Sequence, residues 1–370
     1  MLEHNFTGPP FTVGIEEELM LVDAESLDLA QEIEALLATV PSELTGQVKP
    51  ELMQAVLEIA TTPCDSVAEA GEQLVQLRRT VTRCAESIGV AVGAAATHPF
   101  ALTAEQEIVD RPRYRELVAE LGYIALREII FGTHVHVAIE GPDRAIYVAD
   151  GIRRYLPLLL ALSANSPFWE GIKTGMMSSR VPVFRAFPRE GIPPHYGTWE
   201  IYSNRVEMMV RAGAIEDYTY LWWDVRPHPN FGTVEVRILD QQTRVEHTVA
   251  LAALVVSLAH RLCALYDEDE PLVGYPSELV DDNKIRAACR GIDGKLIDFH
   301  RGEQVAAPEM TRGLLAMLGE HADELGCRAE LEGVEDLLAN GTGAHRQLAI
   351  HERTGDLRRL VAEIVETSRP

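Results

Sequence analysis

The sequence predicts an α+β fold in a single domain spanning residues 1–370, with antiparallel strands alternating with long helices. Three observations lead to it. Short β-branched stretches alternate polar and apolar residues with the two-residue period of a strand. Longer stretches between them carry apolar stripes at helical spacing. No repeat, low-complexity tract or interdomain linker interrupts this order.

The first strand is the stretch Phe11–Val22, where Glu16, Glu17 and Glu18 stand in an otherwise apolar run. Side chains alternate along a strand, so Glu16 and Glu18 share one face and Glu17 points to the other. Two carboxylates about 7 Å apart on one sheet face repel unless a cation lies between them. Magnesium, which prefers oxygen ligands, would serve. The alternative is a solvated acidic strand end. A short amphipathic helix over 31–39 precedes a second strand over 55–61, where Val56 and Glu58 share a face and Glu58 is a candidate buried carboxylate.

Ser66–Ile88 reads as a helix, with Ser66 and Glu69 at capping-box spacing, a stripe from Val67 to Ala85, and Gly89 as its stop. A small-residue strand follows over 90–96, and then a helix over 113–121. Ile129–Ile139 is the next strand; it puts His134 and His136 on one face, able to meet a metal, a phosphate or a carboxylate. Asp143–Ser163 reads as a long helix that Pro157 can kink. Residues 165–199 are rich in Pro and Gly and carry Lys173, Arg180, Arg185 and Arg189. In so acidic a chain, a basic loop is a place to handle an anion. Residues 232–238 form a further strand with Glu235 and Arg237 on one face. Helices are expected over 248–266, 283–290, 310–325 and 334–339, then a turn over 340–347 and a terminal helix over 357–367.

The bulk numbers narrow the function. Hydrophobic residues make up 46% and charged residues 24%, a globular balance. Lys plus Arg is 33 against 57 Asp plus Glu, a net charge of −24, which argues against nucleic acid or an anionic membrane as the main partner. Five scattered cysteines fit free thiols in a reducing cytosol. No basic-then-apolar leader opens the sequence. The longest apolar run, Val249–Ala259, is interrupted by Ser257 and falls short of the roughly 20 residues of a membrane helix. A soluble cytoplasmic protein is expected.

If the four strands form one antiparallel sheet, Glu16, Glu18, Glu58, His134, His136, Glu235 and Arg237 line one polar bowl. Arg237 and two mostly neutral imidazoles cannot balance four carboxylates, whereas divalent cations can. The set is rich in oxygen and lacks thiolates, so it fits ATP–magnesium chemistry better than zinc hydrolysis. An arginine there can stabilise charge on a transferring phosphoryl group.

Seven motifs stand in order along the chain: Gly14-Ile-Glu-Glu-Glu18; Lys49-Pro-Glu-Leu-Met-Gln54 with Glu58-Ile-Ala-Thr61; Thr97-His-Pro-Phe100; Gly132-x-His-x-His136; Ser163-Ala-Asn-Ser-Pro-Phe-Trp169; Gly232-Thr-Val-Glu-Val-Arg237; and a terminal set of Asn340-Gly341, Arg346-Gln347 and Arg353-Thr-Gly-Asp-Leu357. Over almost its full length the chain resembles the type 2 glutamate–cysteine ligase family, the bacterial carboxylate–amine ligases. The resemblance implies a glutamine-synthetase-like fold, a curved antiparallel sheet with helices on its outer side. It implies a weak glutamate–cysteine ligase type of activity, in which ATP and magnesium convert the γ-carboxylate of glutamate to an acyl phosphate and an amine such as cysteine attacks it. By motif position Glu16, Glu18, Glu58, His134 and Glu235 are the implied metal ligands, and Arg237, His134 and Glu58 the implied catalytic groups. Arg237, Arg226 and His136 would face the nucleotide, and Arg180 and Asn165 the acidic substrate. A homodimer is the assembly the family suggests. The residues alone leave two alternatives open: a phosphotransferase of the same fold, and a non-catalytic relative whose bowl only binds a ligand.

Overall fold

A computed structural model describes residues 1–370. Its main sheet contains β1 (Val13–Asp23), β2 (Val48–Pro50), β3 (Val56–Ala60), β4 (Val90–Gly93) and β5 (Gly132–Ala138). A small separate hairpin, β6 (Phe168–Trp169) with β7 (Ile172–Lys173), follows; β8 (Val225–His228) and β9 (Thr233–Asp240) complete the main sheet. Its order is β2-β3-β1-β5-β9-β8, with β4 paired to the C-terminal end of β1. Every pairing is antiparallel.

One face of the sheet is apolar. Ile15, Leu19, Leu57, Ile59, Val135, Val137, Val234, Val236 and Ile238 are buried in one continuous core with the helices Val67–Glu86, Pro142–Ile152, Leu156–Ser163 and Val245–Asp267. The opposite face carries the polar residues. This is the predicted α+β arrangement, with helices on the outer side of an antiparallel sheet.

The helix Val67–Glu86 begins where its cap directs: Ser66 Oγ accepts from the Glu69 backbone N–H at 3.2 Å. Glu69 reaches back to the N–H of Asp65 rather than of Ser66. The long helix expected over 143–163 breaks into Pro142–Ile152, one 3-10 turn over Arg153–Tyr155, and Leu156–Ser163. Pro157 sits in the first turn of the last piece, where its missing N–H costs nothing. The apolar run at Val249 extends into the helix Val245–Asp267, 23 residues and long enough to cross a membrane, but most of it is buried in this core.

Two expectations are corrected toward more helix. Residues 340–347 do not form a simple turn, because Thr342 caps a helix over Gly343–Thr354 through a reciprocal box with His345. The basic loop of residues 165–199 contains a short helix, Arg180–Phe184, and leads into a further helix, Trp199–Arg211, capped by Thr198. All five cysteines are unpaired.

Candidate active site

The register of the sheet collects the polar residues. Glu16 lies opposite His134 and Ala60, and Glu18 opposite Glu58. Glu58 lies opposite Lys49, His136 opposite Glu235, and Glu235 opposite Arg226. Residues paired across strands project from the same face. Glu16, Glu18, Glu58, His134, His136, Glu235 and Arg237 therefore share one floor, although 221 positions separate Glu16 from Arg237 in the chain (237 − 16).

At the centre, His134 Nδ1 lies 3.1 Å from Glu16 Oε2, and its Nε2 lies 4.0 Å from Glu18 Oε1. His136 Nε2 is 3.6 Å from Glu16 Oε1 and 3.8 Å from Glu235 Oε1. That nitrogen is buried and makes no hydrogen bond, while Nδ1 is held by Thr233 Oγ1 at 3.0 Å. Burial by itself raises the Glu16 pKa, but the imidazoles of His136 and His134 outweigh it and hold the carboxyl well below the usual range. Burial likewise opposes ionisation of Glu235, and Arg226 and Arg237 overcome it. Burial disfavours the His136 cation, yet the Glu235 and Glu16 charges raise its pKa above the ordinary value.

Arg237 donates to Glu235, and its Nε is buried without a partner. Arg180 reaches the floor from the basic loop. Its guanidinium donates to the carbonyls of Ile238 and Arg237 at 3.2 Å each, and its Nε is left unpaired. Gly132 makes this possible, because a Cβ there would collide with the Arg180 guanidinium.

Behind this contact stands Asp240, at the end of β9. It accepts from Ser166 Oγ and the Asn165 N–H at 2.8 Å each and from Ser178 Oγ at 3.0 Å. Ser166 Oγ in turn accepts from the Arg180 N–H at 3.2 Å.

Two expected site residues, Asn165 and Arg226, take other positions, and a third, Glu58, already has a partner. Asn165 is fully buried away from the bowl: its amide donates to the Gln241 carbonyl and Thr243, and accepts from Gln347 at 2.8 Å. It ties the Ser163–Trp169 motif to the C-terminal motifs and has no polar group free for a substrate. Arg226 is committed behind Glu235, with Nε 2.6 Å from Glu235 Oε2 and NH1 on the carbonyls of Thr219 and Leu221. It orients a carboxylate rather than facing a nucleotide. Glu58 does face the bowl, but in an ion pair with Lys49 at 3.0 Å.

Two cavities lie over this floor. One, of about 240 Å³, is bounded by Glu18, His134, Arg180 and Arg237 at its base. Tyr114, Phe184 and Trp222 form part of its wall. The other, of about 440 Å³, lies over Gly14, Glu16, Lys49, His136 and the exposed ring of Phe231. Glu51, Glu128 and Lys49 also line these cavities, beyond the residues expected from the sequence. Lys49 and Glu51 stand in the Lys49–Gln54 motif and so are legible in the sequence; no pattern marks Glu128.

A family model for glutamate-cysteine ligase family 2 matches residues 12–363. The chain belongs to this family. A relative from Rubrobacter xylanophilus, provisionally named glutamate–cysteine ligase 2-1, is 43% identical over 360 residues, 97% of this chain and 95% of its own. A relative from Sorangium cellulosum, provisionally named glutamate–cysteine ligase 2, is 41% identical, covering 97% of this chain and 96% of its own. Among solved structures, a glutamate–cysteine ligase from Francisella tularensis in complex with AMP superposes with a TM-score of 0.70 at 14% identity, covering 99% of this chain and 90% of that one. That likeness shows a shared ligase fold, and the glutamine-synthetase-like architecture stands. Family 2 membership makes this chain a ligase of the glutamate–cysteine ligase kind.

Proposed function

We propose that this chain is an ATP-dependent carboxylate–amine ligase. It activates a carboxylate, with the γ-carboxylate of glutamate as the leading candidate, as an acyl phosphate and joins it to an amine such as cysteine. One observation carries the reading: His136 Nε2 is buried without a partner between Glu16 and Glu235, with Arg237 alongside. The donor atoms of Glu16, His136 and Glu235 lie within 4.8 Å of one another. A cluster of carboxylates around an unpaired imidazole nitrogen fits a divalent cation. Magnesium held there by Glu16, His136 and Glu235, with Glu18 and Glu58 beside it, would supply positive charge against the phosphates of ATP.

The chain's own groups then have distinct tasks. Arg237 has an unpaired Nε–H and is placed to stabilise charge on the transferring phosphoryl group. Arg180, anchored by the sheet carbonyls, presents its Nε–H to the acidic substrate. The cavity over Gly14, Lys49 and Phe231 would take the nucleotide, with Phe231 offering a ring face to its base. The related glutamate–cysteine ligase bound to AMP supports a nucleotide site in this fold.

The test is mass spectrometry of the purified protein incubated with ATP, magnesium, glutamate and a panel of amines. A condensed amide, with ADP release that requires both acid and amine, is the expected result. ADP release with an amine alone would contradict ligation and favour a phosphotransferase.

A further inference from the structure

Glu128 follows the 3-10 turn Gly122–Arg127 and lines the same cavity as Glu18, His134 and Arg237. Its Oε2 is buried and has no hydrogen-bond partner. The charged groups acting on it come from separate elements: Glu18 on β1, Arg237 on β9, and Arg180 and Glu190 on the basic loop. Burial, then the Glu18 charge, pushes its carboxyl well above the usual range; Arg180 and Arg237 pull the other way without pairing with it. A buried carboxyl oxygen without a hydrogen-bond partner is costly, so Glu128 is suited to pair with a cationic group that enters this cavity. Tyr114, Leu117, Phe184 and Trp222 form the apolar and aromatic part of the wall, and Arg113 and Glu51 add a cation and a further carboxyl to it.

We propose that Glu128 receives the ammonium group of an amine substrate with an apolar substituent and acts as the base that frees it for attack. The inference rests on the ligase reading above. The entering ammonium supplies the missing counter-charge and ionises Glu128, whose proton goes to water. The carboxylate then takes one proton from R–NH₃⁺, leaving R–NH₂ and a neutral Glu128. The nitrogen lone pair attacks the carbonyl carbon of the acyl phosphate; the C–N bond forms, and the C–O bond to phosphorus breaks. Phosphate leaves with that electron pair, and the second ammonium proton departs with it. A carboxyl with a raised pKa is the better base for this task.

Hydroxylamine separates the two halves of the reaction, because it is largely unprotonated at neutral pH and needs no base. The experiment compares wild type, Glu128→Gln and Glu128→Asp with ATP, magnesium and glutamate at pH 7. Hydroxylamine, methylamine and isobutylamine are the acceptors, and circular dichroism checks the fold. We expect Glu128→Gln to form hydroxamate at the wild-type rate while kcat/KM for isobutylamine falls about 10²- to 10³-fold. The loss should shrink as pH rises and free amine accumulates, and Glu128→Asp should recover part of it. Wild type should prefer isobutylamine to methylamine. Undiminished amide formation by Glu128→Gln would overturn the proposal, and so would an equal loss of hydroxamate and amide in a folded variant. Failure of wild type to form hydroxamate would overturn the ligase reading along with it.

Discussion

Glu16 and Glu17 are adjacent on β1 and do opposite things. Glu17 points into the helical layer, completely buried. Arg78 grips it with two hydrogen bonds of 2.7 Å, and Thr248 Oγ1 donates a third at 2.7 Å. Arg78 also donates to the carbonyls of Gln242 and Thr243, so one ion pair joins β1, two helices and the segment after β9. Every acceptor and donor there is matched. Across the sheet, His136 Nε2 is left without a hydrogen bond beside the Glu16 carboxylate. The two faces of one strand thus separate holding the fold together from binding a ligand. Unmatched groups mark the side where chemistry is expected.

The largest effect should come from the matched side. Glu17→Ala strands the Arg78 charge in the core and should cost about 3–5 kcal/mol in a chemical denaturation curve. A loss under 1 kcal/mol would show that the pair does not brace the layers. On the unmatched side, Arg237→Ala should lower ATP turnover about 10²- to 10³-fold, roughly 2.7–4 kcal/mol of transition-state stabilisation. Glu18→Ala should lower turnover in the same way without lowering the unfolding midpoint, whereas Arg237→Ala leaves Glu235 with Arg226 as its remaining arginine and should lower the midpoint by less than Glu17→Ala does. Turnover surviving either change would remove that residue from the site.

Asn165 sharpens the contrast, because it lies in a motif of the family yet belongs to the matched class. Asn165→Ala should cost about 1–3 kcal/mol of stability by leaving Gln347 and Gln241 unsatisfied. The KM for the acidic substrate should stay as it is in the folded fraction. A selective rise in that KM would restore Asn165 to the substrate contacts.

The smallest effect is in the pH dependence of the metal-free protein. Glu16 and Glu235 have lowered folded pKa values, so their stabilisation is present above about pH 4 and is lost as pH falls through those values. His136 has a raised one, so its contribution is complete below about pH 6.5 and is lost as pH rises through the folded value. With a chelator present, melting temperature should decline modestly from pH 6 to pH 9, and His136→Gln should flatten that slope. An unchanged slope would remove His136 from the charge balance.

Much of this was readable from one period. A two-residue alternation placed Glu16 with Glu18, His134 with His136 and Glu235 with Arg237, and the register then aligned those pairs. What stayed hidden depends on distant partners. Nothing near Arg78 announces that it meets Glu17, and nothing near Glu128 shows its carboxyl left unpaired in a cavity. The resemblance implies that Arg226 faces the nucleotide, but nothing near it in the chain shows that Glu235 takes its guanidinium. Residues 340–347 read as a turn because Asn, Gly and Thr favour turns, but Thr342 uses the same chemistry to start a helix.

The most direct test measures Glu16→Gln and Glu17→Gln side by side, reading the denaturation midpoint and ADP release with ATP, magnesium, glutamate and an amine pool. The account predicts that Glu16→Gln releases no ADP and shifts the midpoint only slightly, whereas Glu17→Gln lowers the midpoint much further. A Glu16→Gln protein that still releases ADP at the wild-type rate would contradict it.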